Sequence, residues 1–184
     1  MGISKNLVGH FAMLLFSVIV AGSFSLGSII ANDVSPGALT ALRFLIAFCV
    51  IGLVAYKKDG FHQTDFKASW RYFLLGGVFI TYFVLMFQAL KTAPPISTSA
   101  VFTLTPLLSA VAGYFLLKQL INIRISIALS VGAVGALWMI FRADINAMIN
   151  FKVGAGEIIF FVACFFHAVY TPLVRKLNRV DTPL

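Results

Sequence analysis

The chain has 184 residues, of which 60% are hydrophobic and 11% charged, and its mean hydropathy is +0.98. A soluble domain carries about 25% charged residues and could not hide so much apolar surface in one core, so a soluble globular fold is excluded. The net charge of +8 does not point to nucleic acid, because the basic residues sit between apolar runs and form no stripe with interleaved aromatics.

Six apolar stretches fill the chain, at residues 7–31, 39–56, 72–90, 96–117, 125–141 and 158–174. Roughly 20 helical residues cross the hydrocarbon core at about 1.5 Å per residue. Only helices or closed barrels satisfy their backbone groups in lipid, and these runs lack the alternation of a barrel strand. The expected fold is an all-α integral membrane protein with six transmembrane helices.

The first stretch, residues 7–31, is too long for a signal-peptide core of about 7–15 residues and reads as an anchor and first span. It carries His10 near its start, which suits an interfacial position, and the polar residues Ser23 and Ser25. The second, 39–56, holds the one charge inside any stretch, Arg43. That residue either snorkels to the interface or binds an anionic group of a solute. The third contains Tyr82 and Gln88, six apart and therefore on different faces; each is either a solute contact or an interhelical hydrogen bond.

The fourth stretch has Pro106 at its middle, flanked by Thr103 and Thr105. Proline has no N–H, so the carbonyl of Phe102 loses its helical partner. The sixth repeats the pattern, with Pro172 beside His167, Tyr170 and Thr171. Interrupted helices with polar neighbours are expected at the midplane site of a transporter, the alternative being a structural kink. His167 and Tyr170, three apart, share a helix face. Thr105, Ser109 and Gly113, like Ala128, Gly132 and Ala136 in the fifth stretch, form small-residue faces suited to close helix packing, within the chain or in a homodimer. Asp and Glu are absent from the interior of every stretch, and Glu157 stands at the edge of the sixth. This argues against coupling through a deeply buried carboxylate.

Cys49 and Cys164 read as apolar filler, since no CxxC or cysteine–histidine cluster accompanies them. With no nucleophile–base pair, phosphate loop or metal cluster, neither an enzyme nor a cofactor or metal is expected. The expected partners are the lipid bilayer and a small-molecule substrate, with no nucleic acid. Assigning the connecting segments alternately to two sides places ten basic residues on one side and three (Lys91, Arg142 and Lys152) on the other. The positive-inside rule then puts the N-terminus in the cytoplasm of a cell-membrane protein, the inner membrane if the cell is Gram-negative.

Ala21 and Ala168 are 147 residues apart, as are Leu26 and Leu173, and Pro36 and Pro183. A unit of five helices with this period would be inverted in its second copy. On that reading residues 1–147 are one five-helix repeat, and 148–184 are the first helix of an inverted second repeat and the turn after it, cut short.

Several segments in order resemble the drug/metabolite transporter superfamily, EamA type. They are Ala21-Gly22-Ser23-Phe24; Ser35-Pro36 with Ala41-Leu42-Arg43-Phe44 and Ala47; Ala89-Leu90-Lys91-Thr92 with Ser99-Ala100; Thr105-Pro106-Leu107-Leu108; and Ala168-Val169-Tyr170-Thr171. The chain departs from the family pattern at Ala21, where a Trp is usual, and at Gln119, where an acidic residue is usual. The resemblance implies ten helices in two repeats and transport of small metabolites or drugs, as an exporter, by alternating access. The candidate substrate-binding residues are Ser23, Ser25, Arg43, Tyr82, Gln88, Thr103, Thr105, Pro106, His167 and Tyr170. A contrasting expectation is a truncated, non-transporting membrane protein that acts as a partner or assembly subunit.

Overall fold

The computed structural model describes residues 5–58, 68–149 and 153–177. Among these, all regular structure is α-helical: α1 (Lys5–Ile30), α2 (Pro36–Lys58), α3 (Trp70–Ala89), α4 (Pro95–Phe102), α5 (Thr105–Leu117), α6 (Ile123–Ile140), the single turn α7 (Ile145–Ile149) and α8 (Ala155–Leu177). Among the described residues six segments are long and apolar enough to cross a membrane, with α4 and α5 together making one of them. Each coincides within a few residues with an apolar stretch of the sequence.

Local chemistry sets the helix ends. Ser35 Oγ accepts the N–H of Ala38 ahead of α2, with Pro36 at the first helical position, where a missing N–H costs nothing. Pro94 is extended and Pro95 opens α4 in the same way. Asn122 caps α6 by accepting the N–H of Arg124 at 3.1 Å, and Asp144 Oδ1 caps α7. α5 closes on Lys118, whose positive φ of 55° turns the chain back so that its N–H reaches the carbonyl of Tyr114. Several hydroxyls inside the spans are satisfied by their own helix: Ser17 donates to Met13, Thr81 to Gly77 and Thr40 to Pro36. In lipid this removes an unpaired donor without needing a neighbour.

α8 is the centre of the assembly, packed against α3, α5 and α4. Its contact side is made of small residues, Gly156, Ala163, Cys164 and Ala168, all buried. At Gly156 the approach is so close that a Cβ would lie 2.6 Å from Ala93 Cβ and 2.8 Å from the carbonyl oxygen of Ala89. At the other end of the pair, Arg71 Nη1 donates to the carbonyl of Leu177 at 2.6 Å. These two contacts fix α3 and α8 as antiparallel. Gly27 packs on Phe87 and Leu90, so the late turns of α1 and α3 lie together and α1 runs opposite to α8.

The core is aromatic. Phe24 meets Phe160 edge-on at 5.6 Å and Phe102 at 5.7 Å, and Phe160 is fully buried. Outward faces carry large apolar side chains such as Phe48 and Phe73, 74% and 80% exposed, as expected where lipid is the solvent.

Lys57, Lys58, Lys118, Arg124, Arg175 and Lys176 gather at the helix ends on the Arg71 side, and Lys91 and Arg142 lie at the opposite ends. Lys67, Lys152, Arg179 and the Thr182-Pro183 turn lie outside the described residues. Arg71 is no loop charge: it sits in the first turn of α3, buried, and closes the last turn of α8. A cation there complements the carbonyl end of the helix.

Candidate functional site

The fourth span is broken where proline was expected to disturb it, but differently. Pro106 does not bend a continuous helix. It occupies the first turn of α5, after a turn at Thr103 and Leu104 that separates α4 from α5. The first turn of a helix is where proline is tolerated, so the chain restarts there instead of kinking. Thr103 uses its hydroxyl on the carbonyl of Ala100 at 2.6 Å. The carbonyl of Phe102, four residues before Pro106, has no N–H at the i+4 position to accept. Pro172, by contrast, stays inside α8, which continues unbroken to Leu177.

Beside this break lies a cavity of about 750 Å³, the size of sites that take drug-sized ligands. Helices α1, α2, α3, α4, α5 and α8 and the α4–α5 turn contribute to its wall. Seven of the ten candidate residues line it: Ser23, Arg43, Tyr82, Thr103, Thr105, Pro106 and His167. His167 is wedged between Tyr82 and Phe102, with ring centroids at 4.7 and 5.4 Å. Its Nδ1 is buried with no hydrogen-bond partner among the described residues. Thr105 Oγ1 is buried likewise; it lies near the Cys164 thiol but makes no bond of hydrogen-bond geometry. A buried polar atom left unpaired costs about 1–3 kcal/mol, and both of these belong to side chains that border the cavity.

Three candidates lie elsewhere, and helix geometry explains each. Ser25 is two residues from Ser23, about 200° around α1, and is exposed on the far side. Gln88 is six residues from Tyr82, about 240° around α3, and is also exposed. Tyr170 does not reach the cavity; it stacks on Phe79 at 4.5 Å, and Thr171 lines the wall in its place. Arg43 lies on the aromatic side of α3. It is half-buried, with its guanidinium 5.0 Å from the Phe83 ring and 5.3 Å from the Phe87 ring.

Two features went unread in the sequence. The first is the aromatic wall of Phe24, Phe79, Phe83 and Phe102. Its α3 members, with Tyr82 and Met86, recur at helical spacing, but in a membrane helix that pattern does not separate a cavity-facing side from a lipid-facing one. The second is the burial of Glu157. Because α8 begins at Ala155, Glu157 falls in its first turn, is buried, and accepts the Ser97 hydroxyl at 2.8 Å. It borders two smaller cavities, of about 410 and 480 Å³, whose walls include Phe141 and neither Arg43 nor His167. Glu157 thus stands at the edge of the sixth span, as the sequence places it, and the hydroxyl from α4 and the favourable start of a helix hold it inside.

The sequence profile of the EamA-like transporter family matches residues 7–141. The chain belongs to that family. This EamA-like chain is 26% identical over 182 residues to an uncharacterized transporter, YyaM, of Bacillus subtilis (strain 168), a match covering 98% of this chain and 60% of that protein. It thus spans about three fifths of the length of the curated relative it matches. No solved structure matches it. Family membership and the six apolar spans together make it a multi-pass membrane protein of a transporter family.

Proposed function

We propose that this EamA-like chain handles the solute of an exporter of small metabolites or drugs that works by alternating access, with no chemical step on the solute. The observation that carries the reading is the cavity at the broken fourth span, with the unpaired His167 Nδ1 and Thr105 Oγ1 in its wall. A discontinuous helix is where a membrane protein can present backbone and side-chain polar groups to a solute without exposing them to lipid.

Residues 1–147 are proposed as one five-helix repeat, and 148–184 as the opening of an inverted second one. The opposed directions of α1 and α8 support this, together with the 147-residue spacing of Ala21 with Ala168 and Leu26 with Leu173. The same reading puts the Arg71 end of the bundle at the cytoplasmic face of the cell membrane, because the basic residues concentrate there. The small-residue face Thr105, Ser109 and Gly113 is turned inward, with Thr105 and Gly113 buried. Ala128 and Gly132 on α6 are exposed, and a homodimer would use that face.

The test is solute flux in proteoliposomes containing the purified chain, with a radiolabelled panel of amino acids, carboxylates and amines. Time-dependent flux above empty vesicles is expected. His167→Phe is expected to lower it at least tenfold while leaving the melting temperature unchanged or higher, because replacing an unpaired buried nitrogen by carbon removes a cost. No flux for any member of the panel, or full flux in the variant, would overturn the reading.

A further inference from the structure

The cavity's charge and shape select among solutes. Of the described residues lining it, Arg43 alone carries a fixed charge, and no Asp or Glu is among them. Arg43 is about 10 Å along α2 from Pro36, by the rise of an α-helix, and so lies within the span. Its guanidinium rests on the faces of Phe83 and Phe87, and among the described residues no carboxylate pairs with it. Aromatic faces offset only part of the cost of holding a cation out of water. The cation therefore has unused capacity for an anion, and a guanidinium binds carboxylate-like groups through two parallel N–H donors. Beyond Arg43 the wall is aromatic: Phe24, Phe79, Tyr82 and Phe102, with His167 among them.

We propose that the cavity binds a monoanionic solute with a flat aromatic body. The proposal rests on this cavity being the solute site and deepens that reading. The anionic group meets Arg43, and the body lies against the rings of Phe24, Tyr82 and Phe102, for which edge-on and offset-stacked contacts are favourable. Cations are disfavoured because they would meet Arg43 with no compensating acid. A small inorganic dianion fits poorly, because one cation would neutralise half its charge and apolar rings would face the rest.

Three probes of nearly one shape separate charge from fit: 2-naphthoate, 2-naphthamide and 2-naphthamidine, which are anionic, neutral and cationic. Their binding would be measured by equilibrium dialysis against the purified chain in lipid nanodiscs, with empty nanodiscs subtracted. Naphthoate is expected to bind about tenfold to a hundredfold tighter than the amide, the range for one charge-assisted contact, and naphthamidine weakest. Arg43→Gln should abolish the preference at an unchanged helical circular-dichroism signal, and Arg43→Lys should keep part of it. Equal binding of the three, an intact preference in Arg43→Gln, or no binding above empty discs would each overturn the proposal. Arg43-dependent naphthoate binding without flux would leave the anion site standing and count against the carrier. Flux without charge preference would do the reverse.

Discussion

Gly156 is the position where one methyl group tests the packing of α8 on α3. A Cβ there would lie 2.6 Å from Ala93 Cβ, 2.7 Å from Thr92 Oγ1 and 2.8 Å from the carbonyl oxygen of Ala89. The Thr92 side chain could turn aside. The Ala89 carbonyl belongs to α3 itself, and a single methyl has no torsion to escape by, so the two helices must separate by on the order of 1 Å to restore ordinary contact. Overpacking of this kind costs about 1–3 kcal/mol, and three simultaneous close contacts place Gly156→Ala near the upper end. Alanine recovers about 1 kcal/mol through helix propensity. The net expectation is a loss of about 1–2 kcal/mol.

Gly132→Ala is the control. Nothing lies within 4 Å of a Cβ at Gly132, so only the propensity gain operates there and the variant should be about 0.5–1 kcal/mol more stable. The assay is unfolding of the detergent-purified chain by SDS titration, followed by far-ultraviolet circular dichroism. If Gly156→Ala proved as stable as Gly132→Ala, the close approach of α3 and α8 would be refuted, and with it the placement of the cavity between them.

Two further outcomes follow from the packing. Phe160→Ala should cost about 3–5 kcal/mol in the same titration, because Phe160 is fully buried against Phe24, Phe102 and Tyr82 and its removal leaves a void; a cost below about 1 kcal/mol would place it in lipid instead. Ser97→Ala should cost about 1–3 kcal/mol by taking the hydroxyl from the buried Glu157 carboxylate, and Glu157→Gln, which keeps an acceptor for Ser97, should cost less. The reverse order of those two would mean that Glu157 draws its support from elsewhere.

The candidate site is partly legible in the amino-acid sequence. Polar residues inside apolar stretches are few, and Ser23, Arg43, Tyr82, Thr103, Thr105 and His167, singled out on that ground, all converge on one cavity. Ser25, Gln88 and Tyr170 satisfy the same rule but do not line that cavity, since the rule registers polarity and not which way a side chain points around its helix. Glu157 lies at the edge of its span, as the sequence places it, but its burial is not legible there. It sits three residues into α8, and the hydroxyl that keeps it buried comes from Ser97, sixty positions away in the chain.

The membrane setting and the set of spans follow from the order of residues alone, because backbone hydrogen bonding in lipid forces each long apolar run into a helix whatever its neighbours are. So does the missing N–H at Pro106 in the fourth span, although Pro172 sits in an unbroken α8, so proline alone does not dictate a break. Which helix lies at the centre and which faces meet are settled only by the packing of the whole bundle. Apolar surface gains little by leaving lipid for protein, so hydrophobicity does not mark the inward side. Close fit does, through contacts such as Gly156 on the Ala89 carbonyl and Arg71 on the last turn of α8.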